Sequence, residues 1–304
     1  MAEARGAASV AEGLVARATG SFCDVYHDGR TVRCVLRGRL RGAAGRPVPG
    51  DRVQFRPDAD GTGVLEGVLP RRTVFTRRVR GARRVIAANV EQAVVVFAAA
   101  SPEPEPGAID RFLALAEAAH VAPVLCVNKA DLADPAPLVA RYRPLYPVLV
   151  TSARTGQGLD ELRARLAGRI SVVVGPSGVG KSTLLNALQP GLRRRTGELS
   201  PRTGRGRHTT TVAELLPVAE GFIVDTPGVQ VLELEPLAPE AVDDCFPEIA
   251  ARAASCAFRD CLHLEEPACA VKAAVAREEI APSRYRSYLT LLDEVRRARR
   301  GGGR

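Results

Sequence analysis

Residues 175–182, Gly-Pro-Ser-Gly-Val-Gly-Lys-Ser, match the pattern G-x-x-x-x-G-K-[ST], and they stand between the apolar run 170–174 and the helical run 182–188. A strand that turns sharply on glycines into a helix points its backbone N–H groups and the positive helix end at one spot, which suits a phosphate chain. The pattern predicts Lys181 on the terminal phosphates and the Ser182 hydroxyl on Mg²⁺. It also constrains the fold, because such a cradle lies at the C-terminal ends of parallel strands. The flanking sequence agrees. Continuous apolar runs at 93–99, 121–127 and 148–150 have the hydrophobicity of strands buried on both faces. Ile109, Phe112, Leu113 and Ala116 recur at helical spacing, and a second helical stretch lies at 159–166. Strand alternating with helix from Val85 predicts a doubly wound α/β sheet.

Three further segments surround a nucleotide in this reading. Asn128-Lys129-Ala130-Asp131 follows a predicted strand, and the Asp131 carboxylate can accept from guanine N1–H and the exocyclic amine, which adenine does not offer in that geometry. Ser152 and Ala153 follow the next strand, where a backbone amide reaches the guanine oxygen. Downstream, 222–224 leads into Asp225-Thr226-Pro227-Gly228, with Asp225 expected to hold Mg²⁺ through water and the Gly228 N–H to meet the γ-phosphate. The GTP contacts are thus expected from Asn128, Lys129, Asp131, Ser152, Ala153, Asp225 and the loop Gly175, Pro176, Ser177, Gly178, Val179, Gly180, Lys181, Ser182 and Thr183. Composition gives an independent check. The chain has 40 Arg and 3 Lys, yet two of the lysines are Lys129 and Lys181. Random assignment of basic identity would do this under about one time in a hundred, whereas both positions call for a compact point charge.

The order of these segments is permuted. Ordinary small GTPases run phosphate loop, Asp-x-x-Gly, Asn-Lys-x-Asp, whereas here Asn128 precedes Gly175. A pocket built from loops at strand ends tolerates the cut. It also leaves Asp225 next to the C-terminal region, where a γ-phosphate-dependent movement can be passed on.

The N-terminal stretch has another rhythm. Val53 and Phe55 alternate with Arg52, Gln54 and Arg56, and similar short runs sit at 14–19, 22–26, 31–36 and 64–69 between Gly- and Asp-rich turns. About five strands in some sixty residues predict a small barrel of the oligonucleotide-binding kind. Residues 1–84 carry a net charge of +9 and residues 284–304 a net +5, around a middle of −5. Two basic ends suggest contact with a polyanion, and ordinary solvated surface is the other reading. Aromatic residues are scarce, so contacts to a nucleic-acid backbone are expected over base stacking. No run approaches the roughly 18 apolar residues of a membrane span, which predicts a soluble, cytoplasmic protein without a membrane partner.

Seven cysteines are too few for a disulfide scaffold. Cys256, Cys261, His263 and Cys269 offer three thiolates and an imidazole within fourteen residues, a donor set for tetrahedral Zn²⁺ that leaves no open catalytic position. Buried free cysteines are the other reading of this spacing. Cys23, Cys34, Cys126 and Cys245 are read as core residues, and 285–292 as part of a final amphipathic helix.

The permuted order, the loop Gly204-Arg205-Gly206-Arg207-His208-Thr209-Thr210-Thr211, the preceding barrel and the cysteine cluster together resemble the RsgA, or YjeQ, family of circularly permuted GTPases, over about residues 13–292. The resemblance implies an OB-like domain (1–84), a permuted P-loop GTPase domain (85–235) and an α-helical zinc domain with a basic tail (236–304). It implies a GTPase stimulated by the small (30S) ribosomal subunit and acting late in its maturation. The partners implied are GTP and GDP, 16S rRNA and other assembly factors, and the cofactors one structural zinc on Cys256, Cys261, His263 and Cys269, and Mg²⁺ with GTP. A monomer is expected. Where many GTPases carry a water-orienting Gln after Asp-x-x-Gly, this chain has Val229, so slow intrinsic turnover is expected. The family places a histidine at His208, the candidate replacement; a surface-loop histidine without catalytic role is the alternative. Thr209 or Thr210 is expected to complete the Mg²⁺ shell. Two rivals are an RNA-binding zinc protein with guanine nucleotide as a structural ligand, and a P-loop kinase, which the guanine-type motifs disfavour.

Overall fold

The structure is a computed structural model that describes residues 9–40, 45–79, 82–190, 213–225 and 237–301. His208, Thr209, Thr210, Gly228 and Val229 lie outside the described residues. Within the chain, 1–91, 166–172 and 197–229 form one compact unit, and 92–165, 173–196 and 230–304 another.

The first unit begins with β1 (Ala11–Thr19), β2 (Phe22–His27), β3 (Arg30–Leu36), β4 (Arg52–Pro57) and β5 (Thr62–Val68). They are ordered β1-β2-β3-β5-β4, and β4 returns to pair with β1. The pairings are antiparallel except β3 with β5, so five strands close into an OB-like barrel without a free edge. The period of two holds: Val53 and Phe55 are buried while Arg52, Gln54 and Arg56 are exposed. Val15, Val25, Leu36 and Leu65 complete the core from the other four strands, with Cys23 and Cys34 among them. Asp28 and Gly29, at φ 47° and 76°, form the two-residue turn that links β2 to β3 in register.

A hairpin of β6 (Val74–Val79) and β7 (Ala82–Ala88) follows as a separate two-stranded sheet. The sequence reading had not resolved it. Its base is locked to the barrel. Gly50 adopts φ 89°, and a Cβ there would lie 2.0 Å from the Ala88 carbonyl. The Asn89 side chain donates to the Gly50 carbonyl and accepts from the Arg72 amide, each at 2.8 Å. Wholly buried Asp51 receives Arg71 through two hydrogen bonds, of 2.7 and 2.8 Å.

In chain order the remaining strands are β8 (Gln92–Ala98), β9 (Ala122–Asn128), β10 (Val148–Val150), β11 (Ile170–Val174), β12 (Glu214–Val218) and β13 (Gly221–Asp225). The helices are α1 (Pro106–Ala118), α2 (Ala136–Tyr142), α3 (Leu159–Leu166), α4 (Lys181–Leu188), α5 (Pro247–Ala253), α6 (Ala270–Ala276) and α7 (Pro282–Gly301). In the first unit, β12 joins β1 at the pair Arg17–Glu214 and forms an antiparallel hairpin with β13, which runs parallel to the start of β11. In the second, β8, β9 and β10 are parallel, and β8 is buried throughout, as its unbroken apolar run predicts. Phe97 meets Phe112 of α1 edge to face at 5.6 Å, which seats that helix on the sheet.

The C-terminal helices pack on α1 around Phe246, Ile249, Val271, Tyr288 and Leu292. Arg284, only 2% exposed, ties them down. Its guanidinium donates to Glu248 at 2.5 and 3.1 Å and to Asp110 of α1 at 2.9 Å, and lies 4.8 Å over the Phe246 ring. Asp110 also accepts from Tyr142 at 2.8 Å and Ser287 at 2.7 Å, so both buried charges are satisfied. The basic C-terminal count therefore includes an internal arginine. On the barrel, Arg52 pairs with Glu12, Arg33 with Asp24, and Arg37 and Arg56 with Glu66, acids that the net +9 of residues 1–84 already subtracts. Among the described residues no helix is long and apolar enough to cross a membrane.

Candidate functional site

The phosphate loop leaves β11 at Gly175 and enters α4 at Lys181. Gly175, Gly178 and Gly180 adopt φ of 142°, 82° and 93°, where side-chain-bearing residues are strained. Space is also short: a Cβ on Gly175 would lie 2.1 Å from the Val96 carbonyl, and one on Gly180 2.6 Å from Asn128 Nδ2. Lys181 Nζ donates to the carbonyls of Gly175 at 2.7 Å and Pro176 at 2.6 Å, curled over its own loop. Its half-burial lowers its pKa from the ordinary lysine value. Ser177, Gly178, Ser182 and Thr183 are exposed, and Val179 is buried.

Asn128 ends β9 and is 1% exposed. Its Nδ2 donates to the Val179 carbonyl at 2.9 Å, and its Oδ1 accepts from Thr151 Oγ1 and the Ala153 amide, each at 3.2 Å. One buried amide thereby joins the phosphate loop to the loop after β10. Lys129, at φ 59°, donates to the Ser101 carbonyl. Asp131 accepts from Ser152 Oγ and from Arg154 Nε at 2.8 Å. Those two donors, Ser152 the stronger, hold its carboxyl below the usual range, so it stays an acceptor. Asp131, Ser152 and Ala153 are thus brought together as the sequence predicts. Asp225 is the last residue of β13, half-buried, and its burial pushes its carboxyl pKa up.

The second cluster follows α5. Sγ of Cys256, Cys261 and Cys269 and a ring nitrogen of His263 all lie within 4.8 Å of one another. His263 Nδ1 is 3.4 Å from Cys269 Sγ and 3.6 Å from Cys256 Sγ, and the two sulfurs are 3.9 Å apart. Tetrahedral zinc bonds of about 2.0–2.3 Å require donor separations of this order. The frame is tied by Tyr288 and Tyr285, which donate to the carbonyls of Leu262 and His263 at 2.9 and 2.5 Å. Cys269 also caps α6, accepting from the Lys272 amide at 3.4 Å. These residues fit a structural zinc. Asp243, which the sequence reading had not singled out, stands 3.8 Å from His263 Nε2, a nitrogen with no hydrogen-bond partner. Carboxylates commonly orient the far nitrogen of a ligating histidine in this position. Only its twenty-residue separation from His263 hid it. Cys245 and Cys126 are buried, and burial pushes each thiol up to about 12, as expected of core cysteines.

Two family models match this chain. The RsgA GTPase model matches residues 68–235, and the RsgA N-terminal domain model residues 12–65. A small ribosomal subunit biogenesis GTPase RsgA from Moorella thermoacetica is 46% identical, over 93% of this chain and 97% of the relative. The protein of that name from Geobacillus thermodenitrificans is 41% identical, over 94% and 98%. Among solved structures, YjeQ from Thermotoga maritima superposes with a TM-score of 0.78 at 38% identity, covering 94% of this chain and 99% of that one. YloQ, described as a circularly permuted GTPase, superposes with 0.80 at 31%, covering 98% and 99%.

Proposed function

This chain belongs to the RsgA GTPase family, a family of circularly permuted GTPases of small-ribosomal-subunit biogenesis, and from that membership we propose how its residues carry the activity. It hydrolyses GTP to GDP and phosphate in the maturation of the small subunit. The observation that supports the residue assignments best is the Asn128 side chain, which holds the phosphate loop with its amide and the base-facing loop with its carbonyl.

In our reading Asp131 accepts from guanine N1–H and the exocyclic amine, with Ser152 and Ala153 lining the base. Gly175 to Thr183 wraps the phosphates with backbone N–H groups. Lys181, satisfied by two carbonyls in the structure, transfers those hydrogen bonds to the terminal phosphates. Ser182 and Asp225, with Thr210 or Thr209, hold the Mg²⁺ that accompanies GTP. When bound, that ion neutralises charge building on the transferring phosphoryl group. The Gly228 N–H meets the γ-phosphate. Val229 cannot orient water, and His208 takes that part when the small subunit is engaged. Cys256, Cys261, His263 and Cys269 hold one structural zinc. The domains run 1–84, 85–235 and 236–304, with β7 crossing the first boundary. The barrel's arginines meet phosphates of 16S rRNA, other assembly factors are among the partners, and the protein acts as a cytoplasmic monomer.

Replacing Asp131 by Asn tests the nucleotide assignment. Asparagine presents one donor and one acceptor, which suits the N1–H and C2 carbonyl of xanthine and mismatches guanine. GTP affinity of Asp131→Asn is expected to fall roughly ten- to a hundredfold, the worth of charge-assisted hydrogen bonds, while xanthosine triphosphate binding rises. Unaltered preference for GTP would remove Asp131 from the site.

A further inference from the structure

Five strands of the first compact unit carry charged residues opposite one another in one cross-strand row. Arg33 on β3 faces Asp24 on β2, Asp24 faces Arg17 on β1, Arg17 faces Glu214 on β12, and Glu214 faces Asp225 on β13. Sign alternates at each step until the last, where two carboxylates meet. The first step is closed by an ion pair of 3.0 Å. Directly opposite residues in an antiparallel pair have Cβ atoms about 5 Å apart, so like charges there are destabilising unless a cation is shared. Glu214 and Asp225 are both half-buried, and Arg17 is exposed. Burial is the largest influence on the Glu214 carboxyl and pushes it up; Arg17 pulls it back, and Asp225 and Asp24 push it further. Paired carboxylate oxygens suit a hard divalent cation.

Resting on the reading of Asp225 as a carboxylate for the nucleotide's Mg²⁺, we propose that Glu214 is a positioning residue for that ion and that Arg17, from the barrel, opposes it. Glu214 adds negative potential beside Asp225, and Arg17 subtracts it. An RNA phosphate that pairs with Arg17 cancels this subtraction and tightens the hold on the ion. RNA on the barrel and Mg²⁺ with nucleotide are then linked with positive sign, and the linkage is reciprocal. One charge on the order of 8 Å from a divalent ion in water-like surroundings shifts its affinity by about three- to tenfold.

The test follows release of a fluorescent GDP from the full-length protein as free Mg²⁺ is titrated. The midpoint is expected to rise about three- to tenfold in Glu214→Gln, to recover largely in Glu214→Asp, and to fall in Arg17→Gln. In the Glu214→Gln background Arg17→Gln is expected to keep the same direction of effect, since the two charges act on the ion additively. An unmoved midpoint in Glu214→Gln, or a shift of the same direction in both single variants, overturns the proposal. Asp225→Asn separates the two layers. If it leaves the midpoint unmoved, the assignment of Asp225 fails; if it raises the midpoint and Glu214→Gln does not, the role of Glu214 alone fails.

Discussion

Gly180 shows the constraint at the scale of one residue: its φ is 93°, and the space a Cβ would fill belongs to the Asn128 amide. Gly180→Ala must strain the backbone and displace Asn128, so nucleotide affinity is expected to drop roughly tenfold or more while the fold persists. Titration with a fluorescent GDP checks this, and unchanged affinity would contradict the role given to the Asn128 latch. His208→Ala is expected to abolish subunit-stimulated turnover with near-normal GTP affinity; stimulation equal to that of the unmodified protein would remove His208 from the mechanism. The loop and the residues Asn128, Lys129 and Asp131 were legible in the sequence because each motif is contiguous and its chemistry fixes its spacing. The contact of Asn128 with Val179 was not, since 51 positions separate them. Arg154 on Asp131 stayed unread for a related reason: an arginine after Ser-Ala is unremarkable until the fold turns it onto the carboxylate.

At the scale of elements, the seven-residue helices α5 and α6 flank the cysteine cluster, whose donors lie on the segment that joins them. One zinc per chain is expected by elemental analysis, and its removal by a chelator, or Cys261→Ser, should lower the thermal midpoint of the C-terminal region. A metal-free protein with the same midpoint would show the cluster to be plain core. Arg284→Met should cost about 3–5 kcal/mol, because Asp110 would stay buried without its cation and half-buried Glu248 would lose its partner. Denaturant unfolding measures this, and a loss within experimental error would mean that the network contributes nothing net. Strands with period two or continuous apolar runs were read correctly from β1 to β5 and from β8 to β11. The hairpin of β6 and β7 escaped, since Arg77, Arg78, Arg80, Arg83 and Arg84 interrupt the apolar alternation that marks a strand.

For the whole molecule, the net charge of +9 is an excess of cations that remains after the acids paired with barrel arginines and with internal Arg284 have been subtracted. Binding to rRNA through the remaining arginines should still weaken steeply with salt, as each phosphate contact releases a counterion. The architecture itself was legible, since a barrel, a permuted nucleotide fold and a Cys–His cluster each have a local sequence pattern. How the barrel's β1 would extend into β12 was not, because a single bridge, Arg17 to Glu214, carries that pairing and leaves no periodic trace. The central claim is a GTPase whose turnover answers to the small ribosomal subunit. Its most direct test is phosphate release from GTP by the full chain, alone and with small or large subunits, at low and high salt. The account predicts a large increase with small subunits only, diminished by salt; equal rates with and without small subunits would contradict it.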